Sequence, residues 1–148
     1  MGVLIPDGDR ILLDTVALIY FLERNARYVE QAEAVFRRIE SGKLQGVISN
    51  LVFAELLVPL YRRGDSRAAA GLANRLDNFN NLEVVALTTK ISMEAARLRA
   101  DHGLRTPDAI HTATAIAAQA SGILTNDKRL KVLSREGLHV WLFDDFPG

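Results

Sequence analysis

The stretch Ile11-Leu12-Leu13-Asp14-Thr15 contains the pattern from which the rest of the chain can be interpreted. An apolar run without polar alternation is typical of a strand that is buried on both faces of a parallel sheet. The acid that ends this run is followed by a helical pattern over residues 16–23. Further strand patterns occur along the chain, and most of them are also continuous rather than alternating: residues 47–48, 84–87, 123–124 and 138–142.

Helical patterns separate these runs, and several of them end at a glycine. We predict helices over residues 16–23, 28–40, 50–63, 66–78, 90–102 and 107–120. A regular alternation of strands and helices indicates an α/β fold with a mostly parallel sheet that is covered on both sides. The chain shows no linker, internal repeat or low-complexity tract, so we predict a single domain over residues 1–148.

Composition excludes several classes of protein. The chain has 148 residues and no cysteine, which rules out a thiol nucleophile, a disulfide framework and cysteine-ligated metals. Its 18 basic and 18 acidic residues balance, which argues against coating nucleic acid through bulk charge but allows a local basic rim. The apolar run at the N-terminus is too short for a signal peptide, and no apolar run is long enough to cross a membrane. We therefore expect a cytoplasmic protein with no membrane partner.

Four acidic residues are candidates for chemistry, because ligands of open α/β sheets bind beyond the carboxyl ends of the strands. Asp14 follows the first strand and Asp127 follows the fourth, and either could simply cap a helix or a turn. Asp108 lies in the first turn of a predicted helix, where the helix dipole alone would favour it. Glu55 lies within or beside an apolar helix stripe, where a carboxylate needs a cation partner or a metal, or else a raised pKa.

Taken together, the four positions indicate more than capping. A parallel sheet brings such positions to one edge, and clustered carboxylates repel one another unless cations bind. Oxygen-only clusters suit Mg²⁺ or Mn²⁺. A metal held there can orient a water and stabilise a phosphodiester transition state. We expect the four carboxylate carbons to lie within ~12 Å of each other, which accommodates two cations and their ligands.

Four segments of the chain resemble the PIN domain family, and more narrowly the VapC-type toxin ribonucleases of type II (VapBC) toxin–antitoxin pairs. The resemblance covers nearly the whole chain, and its most specific part is Pro107-Asp108-Ala109-Ile110-His111-Thr112-Ala113-Thr114-Ala115. The segments are residues 11–15, 53–56, 106–111 and 124–127.

This resemblance implies a three-layer α/β/α sandwich and a metal-dependent endoribonuclease. Asp14 and Asp108 would be the most direct ligands of Mg²⁺ (or Mn²⁺). Glu55 and Asp127 would bind metal directly or through water, or would help to activate the attacking water. The hydroxyls of two threonines would form hydrogen bonds within the site: Thr15 and Thr125.

Two details of the resemblance concern single residues. Many family members carry Ser or Asn two positions after the first acid, where this chain has Val16, so a polar contact is missing at that point. His111 belongs to the helix pattern of the family. We interpret it as a helix residue rather than a metal ligand, because no second histidine is paired with it.

The resemblance also implies partners: an RNA substrate, a VapB-like antitoxin whose tail folds on binding, and a second copy of the chain in a homodimer. The candidate RNA contacts could equally be ordinary solvated charges: Arg62, Arg63, Arg67, Arg105, Lys128 and Arg129. An exposed apolar patch would mark the protein interface, and its candidate members lie on two helices: Tyr20, Phe21, Leu57, Leu60 and Tyr61.

Three alternatives stay open at the level of sequence. The first is a PIN-domain RNA-processing nuclease outside any toxin–antitoxin pair. The second is another Mg²⁺-dependent phosphoryl-transfer or receiver-type domain, although the adjacent acids or the D-x-D motif of such domains are missing around Asp14. The third is a non-catalytic interaction module, against which the presence of all four carboxylates argues.

Overall fold

The computed structural model describes residues 5–146, and its centre is a five-stranded sheet in which every neighbouring pair of strands is parallel. The strand order is β3-β2-β1-β4-β5. This confirms the predicted α/β class and the parallel sheet. The strands are β1 (Arg10–Leu13), β2 (Gln45–Ser49), β3 (Leu82–Val85), β4 (Gly122–Thr125) and β5 (His139–Leu142).

Helices cover both faces of the sheet, which gives the three layers that the resemblance implied. They are α1 (Thr15–Leu22), α2 (Val29–Glu40), α3 (Leu51–Leu56), α4 (Val58–Arg62), α5 (Ser66–Asp77), α6 (Thr89–His102) and α7 (Thr106–Ala117). Two 3-10 helices follow β4 and β5: Lys128–Glu136 and Phe143–Asp145.

Alternate residues of the central strand face two separate cores. Ile11 and Leu13 are fully buried in the core that includes residues of α1, α2 and α5, whereas Leu12 is fully buried in the core with α6 and α7. Because both faces are buried, the strand needs no polar position, and this is why its sequence is a continuous apolar run.

The predicted helix over residues 50–63 is wrong in one respect, because the structure divides it into α3 and α4 at Leu57. Pro59 has no backbone N–H and so cannot donate to the carbonyl of Glu55, the i−4 residue in a continuous helix. Leu57 instead serves as the end of α3 and the start of α4. The break leaves Glu55 in the last turn of a short helix.

Other boundaries differ by a few residues from those predicted. β3 begins and ends two residues earlier than expected, and α7 ends at Ala117 rather than at residue 120. Gln119 has a positive φ of 57°, which no α-helix residue can have. The first four residues, which belong to the short apolar N-terminal run, lie outside the described residues. Within residues 5–146, no helix is long and apolar enough to cross a bilayer.

The topology places the carboxyl ends of β1 and β4 side by side. Leu13 pairs with Leu124 in the register, and the backbone N–H of Asp14 donates to the carbonyl of Leu124 at 3.1 Å. β1 is also the point at which the chain order of the strands reverses, since β2 lies on one side of it and β4 on the other. Such switch points open a crevice beyond the strand ends.

Candidate active site

A cavity of about 640 Å³ opens beyond the carboxyl ends of β1 and β4. All four acidic candidates contribute to its wall, although each comes from a different part of the chain. The lining residues are Asp14, Val16, Tyr20, Glu55, Arg105, Pro107, Asp108, His111, Thr125, Asn126, Asp127 and Lys128.

Asp14 occupies the N-cap position of α1, but its side chain makes no capping hydrogen bond. Its Oδ2 instead accepts a hydrogen bond of 2.6 Å from Thr125 Oγ1, at the end of the neighbouring strand. Burial raises the pKa of Asp14 above the ordinary value of an aspartate, although the Thr125 hydroxyl opposes this effect. The Asp14 carboxylate is therefore directed toward the cavity at a cost in solvation.

Glu55 is less buried than its apolar neighbours in sequence suggested, because its side chain is 35% exposed and Val58 and Pro59 are also on the surface. Its Oε1 accepts a hydrogen bond of 2.6 Å from Thr15 Oγ1 and lies 3.2 Å from His111 Nε2. The hydrogen bond with His111 is the main cause that lowers the pKa of Glu55. Glu55 is thus an ionised carboxylate held by two side chains.

Asp108 and Asp127 each face an arginine close to them in sequence. Arg105 Nε donates to Asp108 Oδ2 at 3.2 Å, and Arg129 Nη2 donates to Asp127 Oδ2 at 2.6 Å. The hydrogen bonds with Arg129 lower the pKa of Asp127. Asp127 Oδ1 also accepts from the backbone N–H of Arg129 and so caps the 3-10 helix. The capping interpretation of Asp127 therefore holds alongside its place in the cavity wall.

The six basic candidates fall into two groups. Arg105 and Lys128 line the cavity, and Arg129 lies beside it through its ion pair with Asp127. The side chains of Arg105 and Arg129 are each 65% exposed, so both can move away from their carboxylates. Arg62, Arg63 and Arg67 lie elsewhere, at the end of α4 and the start of α5, and do not line the cavity.

Two cavity residues, His111 and Tyr20, were not assigned to the active site from the sequence. His111, interpreted above as a helix residue only, is 3% exposed and contacts both Thr15 and Glu55. Its position three residues after Asp108, on the same helix face, was the signal that pointed to the site. Tyr20 stacks on Tyr28 with ring centroids 4.4 Å apart, and its hydroxyl accepts from Asn126 Nδ2 at 3.1 Å. No sequence pattern indicated that contact.

The predicted apolar interface patch is only partly exposed. Tyr20, Phe21, Leu57 and Leu60 are all half-buried, and the rings of Tyr20 and Phe21 stack on Tyr28 and Phe36. Tyr61 is 59% exposed, and Val58 is exposed beside it. A groove of about 380 Å³ adjoins them, which we call the α4 groove, and its lining is mostly apolar: Ile19, Leu22, Glu23, Leu56, Pro59, Leu60, Arg63 and Leu72.

The cavity has the type of donor atom that a divalent cation requires, but these atoms do not surround a common point. Four carboxylates form an oxygen-rich wall of the kind that Mg²⁺ and Mn²⁺ bind. Among residues 5–146, however, no three acidic or histidine side chains are close enough to form a ready-made metal site. Two of the four carboxylates form ion pairs with arginines instead: Asp108 with Arg105 and Asp127 with Arg129.

An α/β fold with an acidic cavity at its switch point is compatible with several kinds of phosphoryl-transfer protein, and comparison with known families distinguishes them. The PIN domain model matches residues 11–136, and the chain belongs to the PIN domain family, a family of nucleases. No curated protein matches the sequence significantly.

Solved structures with the same fold include toxin proteins. VapBC2 from Rickettsia felis, bound to a DNA fragment from its promoter, is 19% identical with a TM-score of 0.62, over 89% of this chain and 98% of that one. VapC20 from Mycobacterium tuberculosis, described as a sarcin-ricin loop cleaving toxin, is 22% identical with a TM-score of 0.59, over 76% and 86%. A toxin–antitoxin complex from Klebsiella pneumoniae is 22% identical with a TM-score of 0.59, over 81% and 89%.

Proposed function

We propose that this protein is a Mg²⁺-dependent endoribonuclease and the toxin of a type II toxin–antitoxin pair, acting in the cytoplasm as a single PIN domain. The observation that carries the proposal is the convergence of Asp14, Glu55, Asp108 and Asp127 on one cavity. Membership of a nuclease family supports hydrolysis of a phosphodiester over a receiver-type or non-catalytic role.

The four carboxylates would hold Mg²⁺ (or Mn²⁺), which when bound orients a water and stabilises the charge that develops on the phosphate. Thr125 fixes one oxygen of Asp14, so that the carboxylate keeps its direction toward the cavity. Glu55 is ionised at neutral pH and can accept a hydrogen bond from the attacking water, which would help to activate it. Hydrolysis by water would leave a 5′-phosphate and a 3′-hydroxyl.

The basic residues of the cavity rim would bind the RNA backbone. Arg105 and Lys128 line the acidic cavity directly, and exposed guanidinium groups bind phosphate oxygens in a bidentate manner. If Asp108 and Asp127 held a cation, Arg105 and Arg129 would be released from their ion pairs and could bind phosphate. We propose weaker, more distant contacts for Arg62, Arg63 and Arg67.

The experiment for the nuclease activity is cleavage of total RNA in Mg²⁺ and in EDTA. The wild type should cleave in Mg²⁺ only, and Asp14→Asn or Asp108→Asn should lose activity by two orders of magnitude or more. Asp101→Asn is a matched control, because Asp101 pairs with Arg97 on α6 and does not line the cavity. Equal activity of the wild type and Asp14→Asn would contradict the proposal.

The toxin role has a separate test, because an RNA-processing enzyme would have the same cavity. Expression of the wild type in a bacterial host should arrest growth, and Asp14→Asn should not. Co-expression of a small DNA-binding protein encoded next to this gene should restore growth. A ribonuclease that is active in vitro, has no such neighbour and does not affect growth would indicate the RNA-processing role.

A further inference from the structure

His111 connects three helices in the wall of the acidic cavity. It belongs to α7, and its ring is almost fully buried. Its Nε2 lies 3.2 Å from Thr15 Oγ1 on α1 and 3.2 Å from Glu55 Oε1 on α3, and 4.0 Å from Asp14 Oδ1. A residue placed among three site side chains can determine where their oxygens lie.

The direction of these hydrogen bonds follows from the protons that are available. Thr15 has one hydroxyl proton and lies 2.6 Å from Glu55 Oε1, and an ionised carboxylate can only accept. Thr15 therefore donates to Glu55, and its oxygen is left to accept from His111. Since both neighbours of His111 Nε2 are acceptors, Nε2 carries a hydrogen. It then has no lone pair with which to bind a metal.

We infer that His111 is a positioning residue that fixes the Glu55 carboxylate for cation binding, an inference that rests on the proposed function. His111 and Thr15 both engage Oε1, which leaves Oε2 for a cation or a water in the cavity. Glu55 needs such support, because it lies at the end of a helix of six residues and is partly exposed. Loss of a comparable supporting hydrogen bond typically weakens metal binding or activity by about 10–100-fold.

The surroundings of His111 Nδ1 distinguish a positioning role for this residue from simple core packing. Within the described part of the chain, Nδ1 of His111 is buried without a hydrogen-bond partner. The Nε2 contacts are therefore the polar contacts that hold the ring. A residue needed only for its volume could be replaced by leucine, whereas a positioning residue requires its N–H.

Three substitutions distinguish these roles. His111→Gln can place an amide N–H near the position of Nε2, and His111→Leu keeps much of the volume without a donor. His102→Leu is the matched control, because His102 is also a nearly buried histidine with an unpartnered Nδ1, and its Nε2 lies 2.7 Å from Glu136 Oε2. His102 does not line the cavity.

The primary readout is calorimetric titration of Mn²⁺ into the RNA-free protein. We expect affinity to fall at least tenfold in His111→Leu, to stay within about threefold of the wild type in His111→Gln, and to be unchanged in His102→Leu. Wild-type affinity in His111→Leu, equal losses in both His111 variants, or an equal loss in His102→Leu would each overturn the inference. A wild type that binds no Mn²⁺ would overturn the proposed function, and with it this role.

A second readout needs neither metal nor a variant. The ¹⁵N chemical shifts of the histidine rings in the metal-free wild type report which nitrogen carries hydrogen. We expect a protonated Nε2 at His111. An unprotonated Nε2 would contradict the hydrogen-bond directions and would overturn the inference even if the leucine variant failed to fold.

Discussion

Asp14 combines a carboxylate, a mostly buried position and a hydroxyl contact that holds one of its oxygens. Burial disfavours the charged form, and the 2.6 Å hydrogen bond from Thr125 only partly offsets this, so the pKa of Asp14 is raised. A group with these properties destabilises the folded apo protein at neutral pH. Sites built for function often carry such a cost.

The substitution Asp14→Asn removes this charge at nearly constant shape, and its oxygen can still accept from Thr125. In EDTA at pH 7 we expect its melting temperature to exceed that of the wild type by about 2–4 °C, the shift that roughly 1 kcal/mol produces in a domain of this size. Because the folded pKa of Asp14 lies above its unfolded value of 3.8, wild-type stability falls as pH rises through the folded pKa.

The melting experiment therefore compares both proteins at pH 4 and pH 7, with EDTA and with Mg²⁺. The difference in melting temperature between Asp14→Asn and the wild type should be smaller at pH 4 than at pH 7, because the raised pKa favours the protonated wild-type carboxylate as pH falls. Mg²⁺ should stabilise the wild type by about 2.7 kcal/mol at a hundredfold excess over Kd and the variant much less. A variant that melts below the wild type in EDTA would show that the Asp14 carboxylate stabilises the fold, which would contradict this account.

Sequence alone identified the four carboxylates but not what each of them contacts. The strand and helix positions of Asp14, Asp108 and Asp127 follow from local patterns, so their shared edge could be predicted. The hydrogen bonds of Glu55 with Thr15 and His111 join residues 40 and 56 positions apart, and no local pattern reports such distances. The contact of Arg105 with Asp108 spans three residues, and that of Arg129 with Asp127 spans two. Only these short-range contacts could have been predicted from the sequence.

At the scale of elements, an ionic cluster joins the end of α6 to the 3-10 helix that begins beside the cavity. Arg97 Nη2 lies 2.8 Å from Glu136 Oε1, and His102 Nε2 lies 2.7 Å from Glu136 Oε2. Hydrogen bonds from these two groups lower the pKa of Glu136 to about 2. The cluster holds the C-terminal end of this 3-10 helix against α6, and neither Glu136 nor His102 lines the cavity.

The variant Glu136→Gln should be less stable than the wild type at pH 7 by on the order of 1 kcal/mol, the upper range for ion pairs near the surface. Since the folded pKa is depressed, the stabilisation is present above the unfolded value of 4.5 and is lost as pH falls toward 2. Urea unfolding between pH 7 and pH 2 measures the difference. A difference that did not shrink over this range would mean that packing, not charge, explains the loss.

Gly122 permits the close approach of β4 and β5. A Cβ at this position would lie 2.5 Å from the ring of Trp141 and 2.7 Å from Cβ of His139, closer than real contacts allow. Gly122→Ala should therefore destabilise the protein by about 1–3 kcal/mol, the usual cost of overpacking.

Gly71 supplies the comparison for this variant. It lies within α5, and no neighbouring atom comes within 4 Å of the place that a Cβ would take there. Gly71→Ala should stabilise the protein by about 0.4–1 kcal/mol, because alanine restricts the unfolded chain and favours the helix. Urea unfolding of both variants measures whether each substitution raises or lowers the free energy of unfolding. Equal effects would contradict the packing of β4 against β5 described above.

The order of helices and strands could be predicted because the spacing of apolar residues along the chain reflects which residues are buried. The break between α3 and α4 could not be inferred from apolar periodicity, which continues through Leu56, Leu57 and Leu60. Pro59 was the available signal, since it removes one helical hydrogen bond. Boundaries such as the end of α7 depend on single positive-φ residues, which apolar patterns do not reveal.

At the scale of the whole molecule, the α4 groove and the exposed Tyr61 beside it are the surface that we assign to protein partners. Apolar residues exposed together mark interfaces more often than isolated ones do. This surface is separate from the acidic cavity, since the two share no lining residue. Binding of a partner in the α4 groove can therefore be separated by mutation from binding in the acidic cavity.

The double variant Leu60→Asp with Tyr61→Ser should abolish self-association at micromolar concentration and weaken antitoxin binding at least tenfold, because a charge in an apolar groove must be desolvated. RNA cleavage per folded molecule should change less than Asp14→Asn changes it. Sedimentation velocity and a pull-down with the antitoxin provide the measurements. A wild type that is monomeric at this concentration would contradict the predicted homodimer.

The central claim is that the acidic cavity hydrolyses RNA with a water molecule rather than through the ribose 2′-hydroxyl. The most direct measurement is the chemistry of the ends that the purified wild type produces from a labelled RNA in Mg²⁺. Hydrolysis by water predicts a 5′-phosphate and a 3′-hydroxyl, with no product in EDTA or with Asp14→Asn. A 2′,3′-cyclic phosphate and a 5′-hydroxyl, formed equally well in EDTA, would contradict it.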